Sequence, residues 1–160
     1  QYYPEPGLYL QLAQIAESQG RSSEREKNEN RFLEMARNDR YGNMYNQYLV
    51  ELMAGKKETK NEALRLAEKE LNNRFTPETA DRYALALLSN GEVQKAYQFA
   101  KAYVYRRCFE PSVLLHTAQI FAAAGRSREA REMLSACRES AFELGPVKMN
   151  TVNSLLASVP

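Results

Sequence analysis

Few residues in this chain could carry chemistry, and they stand apart from one another. His116 is the only imidazole, set within Leu114-Leu115-His116-Thr117-Ala118. With no Cys or carboxylate at a ligand spacing, it reads as a structural or surface histidine. A metal hydrolase or a Ser–His or Cys–His nucleophile would lack its base. Cys108 and Cys137 are an even pair that could oxidise. A chain with its own core needs no staple, however, and Cys137 falls on an apolar helical face. Both therefore read as free thiols, with Cys137 buried. Gly91, Gly125 and Gly145 are isolated, not gathered in a phosphate-cradling loop. Glu92, Glu129 and Glu132 read as solvated helix carboxylates rather than a buried acid–base pair. The expectation is a protein with no catalytic residue, no cofactor and no metal.

Charge excludes another class. Lysine and arginine number 22 against 20 aspartates and glutamates, a net charge of +2. The basic clusters Lys56-Lys57-Lys60, Lys101 with Arg106-Arg107, and Arg126-Arg128-Arg131 each have acidic neighbours such as Glu58, Glu62, Glu110, Glu129 and Glu132. Most read as solvated faces with local ion pairs, so nucleic acid is not an expected partner. Composition is globular, with 44% apolar and 26% charged residues among 160. No apolar run approaches the roughly 18–20 residues a membrane span requires, so membrane insertion is not expected either. The chain opens at Gln1 with QYYPEPG and shows no leader pattern. That start suits a mature exported form or a piece of a longer protein, with periplasm or cell surface favoured over cytoplasm. Tyr2 and Tyr3 would then pack on a preceding part of the chain.

What positions these residues is a repeat. Pro77 and Pro111, Gly91 and Gly125, and Ala96 and Ala130 are each 34 positions apart, and Ala84 and Leu87 map likewise onto Ala118 and Phe121. Thr76-Pro77 reads as an N-cap followed by proline at the first helical position. Ala80, Tyr83, Ala84 and Leu87 then share one helical face, and Asn90-Gly91 stops the helix. Val93, Ala96, Tyr97, Ala100 and Val104 line a second helix, and small Ala84 and Ala96 permit close approach in an antiparallel hairpin. The next unit repeats the plan with Ser127 as N-cap, then Ala130, Met133, Leu134 and Cys137. Tyr83, Tyr97 and Tyr103 read as packing residues.

Such a unit, with a small residue at place eight, Gly at fifteen, Ala at twenty and Pro at the boundary, resembles the tetratricopeptide repeat. Counted from Pro77 those places hold Ala84, Gly91 and Ala96; counted from Pro111 they hold Ala118, Gly125 and Ala130. The likeness is specific over residues 77–145 and looser upstream. There, Leu8, Leu12, Ala13, Ile15 and Ala16 make a helix stopped by Gly20. Ser23-Glu24-Arg25-Glu26 reads as a capping box opening a polar partner whose first two turns project or fray, with Arg25 where the family has Ala. Tyr45 to Met53 make another helix, and Thr59-Lys60-Asn61-Glu62 a second capping box after a longer Lys56-Lys57-Glu58 loop. Met149, Val152, Leu155, Leu156 and Val159 form a capping helix after Gly145-Pro146. Ala141 to Pro146 resembles the ends of bacterial tetratricopeptide proteins.

The resemblance implies an all-α, right-handed α-solenoid of antiparallel helix hairpins. It would be one array over residues 1–160, with units at 5–40, 42–75, 77–109 and 111–144 and the cap at 147–159. First helices of successive hairpins would line a concave groove. Its inward places are Glu78, Asp81, Leu85, Leu88 and Ser89, then Ser112, Leu115, Gln119, Ala122 and Ala123. Upstream they are Leu10, Gln14 and Glu17, then Met44, Gln47 and Glu51. The family's chaperone-tail binders present Lys, Arg and Asn there; here the places are acidic, polar or apolar, so that carboxylate clamp is not implied. Leu85, Leu88 and Leu115 with an acidic rim suit an amphipathic or basic peptide helix, unless neighbouring helices cover those leucines. The expected function is a non-enzymatic protein- or peptide-binding scaffold. A purely structural end of a longer repeat protein is the second reading, and an RNA-binding helical repeat a minor third.

Overall fold

The computed structural model describes residues 5–160, so Tyr2 and Tyr3 lie outside the described residues. These residues form no strand. They make nine α-helices and one 3-10 turn, Asp39–Tyr41: α1 (Pro6–Ser18), α2 (Ser22–Ala36), α3 (Asn46–Ala54), α4 (Lys60–Asn73), α5 (Pro77–Ser89), α6 (Val93–Tyr103), α7 (Pro111–Ala123), α8 (Ser127–Glu139) and α9 (Ala141–Ser158). No helix among them is long and apolar enough to cross a membrane. Packing divides the chain into two compact units, Gln1–Leu49 and Val50–Pro160, with the boundary inside α3.

In the first unit α1 and α2 pack as a hairpin. Ala13 and Ala16 are buried on α1, and Phe32, Leu33 and Ala36 on α2. The Phe32 and Tyr45 rings meet edge to face at 6.0 Å. Of the two outcomes expected for the polar first turns of the second helix, projection or fraying, fraying is not seen: α2 is continuous from Ser22, and most of residues 22–31 are exposed. Its polar turns are held by charge instead of apolar packing. Arg25 reaches Glu17 of α1 at 3.3 Å and Glu29 at 3.8 Å, and Asn28 donates to the Glu24 carbonyl. Arg25, at the place the resemblance gives to alanine, thus makes ion pairs.

The second unit builds two hairpins of one design, α5/α6 and α7/α8. Helix α4 packs on α5, α6 on α7, α5 on α7, and α9 on both α7 and α8. Ala84, Ala96, Ala118 and Ala130 have no exposed surface, so the paired helices approach closely at those four places. Around them Leu87, Tyr97, Val104, Val113, Ile120, Phe121, Leu134 and Cys137 make one continuous core. Tyr97 meets Phe121 edge to face at 5.0 Å. Tyr103 packs at the surface: it keeps 42% exposure, with its ring against Phe75 and Phe99 at 5.1 and 4.8 Å.

The tight turns are three copies of one geometry. Gly20, Gly91 and Gly125 take φ of 70°, 85° and 74°. In each turn the residue after the glycine donates its N–H to the carbonyl five residues back: Arg21 to Ala16, Glu92 to Leu87, Arg126 to Phe121. The glycine donates to Glu17, Leu88 or Ala122. This is the paired bond set of a Schellman stop. Arg21, Glu92 and Arg126 then serve directly as N-caps, with φ near −90° and ψ of 71°, 52° and 62°. For that reason Ser127 is the first helical residue and not the cap, and the Ser23 capping box does not form. Thr59 does not cap α4 either; its hydroxyl donates to the Met53 carbonyl at 3.0 Å. Thr76 caps α5 as expected, in a reciprocal box with Thr79. Residues 55–59 form the longer link between α3 and α4. Gly145, at φ 72° and ψ 172°, breaks α9 and sets off residues 146–158 as a separate arm.

Candidate functional site

Five ionisable side chains from four helices of the second unit converge: Glu51 of α3, Asp81 and Arg82 of α5, His116 of α7 and Lys148 of α9. Asp81 is the centre. Its Oδ2 accepts from His116 Nδ1 at 2.9 Å and also pairs with Arg82 Nη1. Arg82 Nη1 lies 3.4 Å from His116 Nδ1, but both atoms donate, so the contact is two cations sharing one carboxylate oxygen. Glu51 closes the other side. Its Oε1 lies 3.7 Å from His116 Nε2 and 2.7 Å from Lys148 Nζ, and its Oε2 lies 3.8 Å from Arg82 Nη2.

The repeat explains the convergence. Arg82 and His116 are 34 positions apart and occupy the same place in α5 and α7. Asp81 precedes Arg82 by one residue and reaches across to the next first helix, while the arm beyond Gly145 carries Lys148 in from the far side. Asp81 has no exposed surface, and the Arg82 and His116 side chains retain only 10% and 5%; Glu51 and Lys148 keep 26% and 29%. The cluster is therefore closed within and partly open at its Glu51–Lys148 edge.

Burial alone would lower the His116 pKa. The Asp81 charge and hydrogen bond, with Glu51 behind them, outweigh it and push it up to about 9, so the ring is protonated at neutral pH. Burial would likewise raise Glu51, yet His116, Lys148 and Arg82 hold its carboxyl well below the usual carboxylate range. Arg82, opposed by its own burial, is raised by Asp81 and Glu51. Two buried atoms, Asp81 Oδ1 and Arg82 Nε, have no hydrogen-bond partner. The set has no nucleophile within it, and its carboxylates are taken up by cations. Among the described residues no group of His, Cys, Asp and Glu could hold a metal. Both thiols are free, and burial pushes Cys137 up to about 11.

Of the expected groove residues, Glu51 and Asp81 join this cluster. Leu85 and Leu115 are buried, whereas Leu88 and Gln119 are half-buried, so two of the three leucines offer little surface to a ligand. Glu78 is exposed, and the Thr76 hydroxyl keeps its carboxyl low. In the first unit Gln14 and Gln47 are exposed, and Glu17 is taken by Arg25. Sequence reasoning missed Arg82, His116 as a partner of Asp81, and Lys148. The first two were signalled by their 34-residue separation. Lys148 carried no such mark. No family model, no curated protein and no solved structure matches the chain.

Proposed function

We propose that residues 50–160 are a right-handed, tetratricopeptide-like helical array acting as a non-enzymatic scaffold for a protein or peptide. The observation that carries this reading is the repetition of geometry: one turn design, one 34-residue register, and first helices α5 and α7 in contact with equivalent residues meeting on one face. Stacked first helices present a continuous surface that an extended or helical peptide can lie along. On this reading Leu88 and Gln119, both half-buried, are its side-chain floor, and Glu51 and Lys148 its polar edge. Charge chemistry bound up in ion pairs suits a rigid frame better than a turnover site.

The burial of Leu85 and Leu115 favours a second reading, in which the stack is structural and the groove shallow and empty. The two readings part on one experiment. A peptide selected from a displayed library against the full chain should lose binding by tenfold or more on Leu88→Arg and Gln119→Arg, with melting temperature unchanged. If selection yields only binders indifferent to both substitutions, the structural reading replaces the groove.

A further inference from the structure

We propose that Glu51 anchors an arginine side chain of the groove's peptide ligand, and that Lys148 of this same chain is the built-in competitor for that anchor. The proposal rests on the groove reading above and adds the chemistry of the ligand.

Charge arithmetic comes first. Asp81 and Glu51 carry two negative charges, and Arg82 and protonated His116 carry two positive ones, so these four cancel. Lys148 is the surplus cation. It is also the most exposed of the five, and it approaches from the arm that follows the break at Gly145. Burial of Val152 and Val159 fixes that arm to the core, so the lysine side chain can swing away without the helix leaving. An ammonium returned to water is well hydrated, which makes its release inexpensive.

Glu51 is then left with a suitable vacancy in charge and geometry. Its Oε1 loses the 2.7 Å contact and keeps His116 Nε2 only at 3.7 Å, and its Oε2 faces Arg82 at 3.8 Å, both beyond hydrogen-bond reach. A guanidinium satisfies both oxygens of a carboxylate at once, whereas Lys148 engages one. Asp81 cannot play this part, being fully enclosed and already shared by two cations. Of the two carboxylates in the charge cluster, Glu51 is thus the one with surface to offer a ligand.

The test uses phage-displayed random peptides panned on the full chain and on its Lys148→Gln variant. The best binder is then remade with citrulline, the uncharged isostere, in place of arginine. The arginine peptide should bind Lys148→Gln at least about fivefold more tightly than the native chain. The citrulline peptide should bind both alike, and Glu51→Gln should erase the difference between the two peptides. Thermal melting checks that each variant folds; if Glu51→Gln does not, the Lys148→Gln comparison decides alone. Equal binding of arginine and citrulline peptides, with Leu88→Arg still abolishing it, overturns the anchor and leaves the groove reading standing. Failure to recover any peptide from either chain overturns both.

Discussion

Asp81 holds two cations out of water with one oxygen, which makes it the residue whose loss is felt most. Asp81→Asn leaves Arg82 and His116 buried side by side without a carboxylate, and should cost about 3–5 kcal/mol in urea unfolding. A cost below about 1 kcal/mol would mean that solvent reaches the cluster after all. His116 gives the site its pH signature. Because its folded pKa is raised from the ordinary 6.5 to about 9, its stabilising contribution is complete below pH 6.5 and fades as pH rises through 9. Glu51 works the other way: its contribution is present above the ordinary carboxylate pKa and is lost in acid. The unfolding free energy from urea titrations should therefore peak between about pH 5 and 6.5 and fall on the alkaline side by on the order of 2–3 kcal/mol. His116→Gln should flatten the alkaline limb, and an unchanged limb would remove His116 from the account. Asp81 and Glu51 stand out in the sequence because helical periodicity leaves them off the apolar face, but as groove residues; that Asp81 is fully buried and that both pair with cations was not legible. Nor was His116, because a lone imidazole has no partner in sequence; its partners come from helices 35 and 65 residues away.

The helices and their stops were the most readable level, because they follow from local chemistry. Pro77 and Pro111 begin first helices and Gly91 and Gly125 end them, as their backbone preferences require. Gly125→Ala should cost about 1–2 kcal/mol through its positive φ alone, since a Cβ there meets nothing within 4 Å. Thr76→Ala should cost about 1 kcal/mol by removing the hydroxyl that accepts from the Thr79 N–H, while Thr79 Oγ1 still accepts from the backbone N–H of residue 76. Ser127→Ala, by contrast, should cost only a few tenths, because Arg126 is the N-cap. Chemical denaturation of the three variants ranks them directly, and a Ser127→Ala loss equal to that of Thr76→Ala would contradict the turn geometry. The misplaced caps share a cause. A Schellman turn ties the residue after glycine to the preceding helix, and this bond, invisible as a residue pattern, outranks the serine's preference.

Across the molecule, several of the basic side chains rest on aromatic rings or near carboxylates. Arg126 and Lys101 lie over the Tyr97 ring at 5.2 and 5.7 Å, and Arg106 lies over Tyr105 and near Glu132. On the scaffold reading heparin at moderate salt should not displace a selected peptide; steep, salt-sensitive displacement would favour the nucleic-acid reading. All-helical architecture was legible from periodicity, whereas the boundary inside α3 and the meeting of four helices at one charge cluster were not, since both depend on contacts between distant segments. The groove is the claim on which the functional account turns. Hydrogen exchange of the full chain with and without a selected peptide tests it most directly. The account predicts new protection on α5 and α7 around Leu88 and Gln119 and at the Glu51–Lys148 edge; protection confined to α6 and α8 would contradict it.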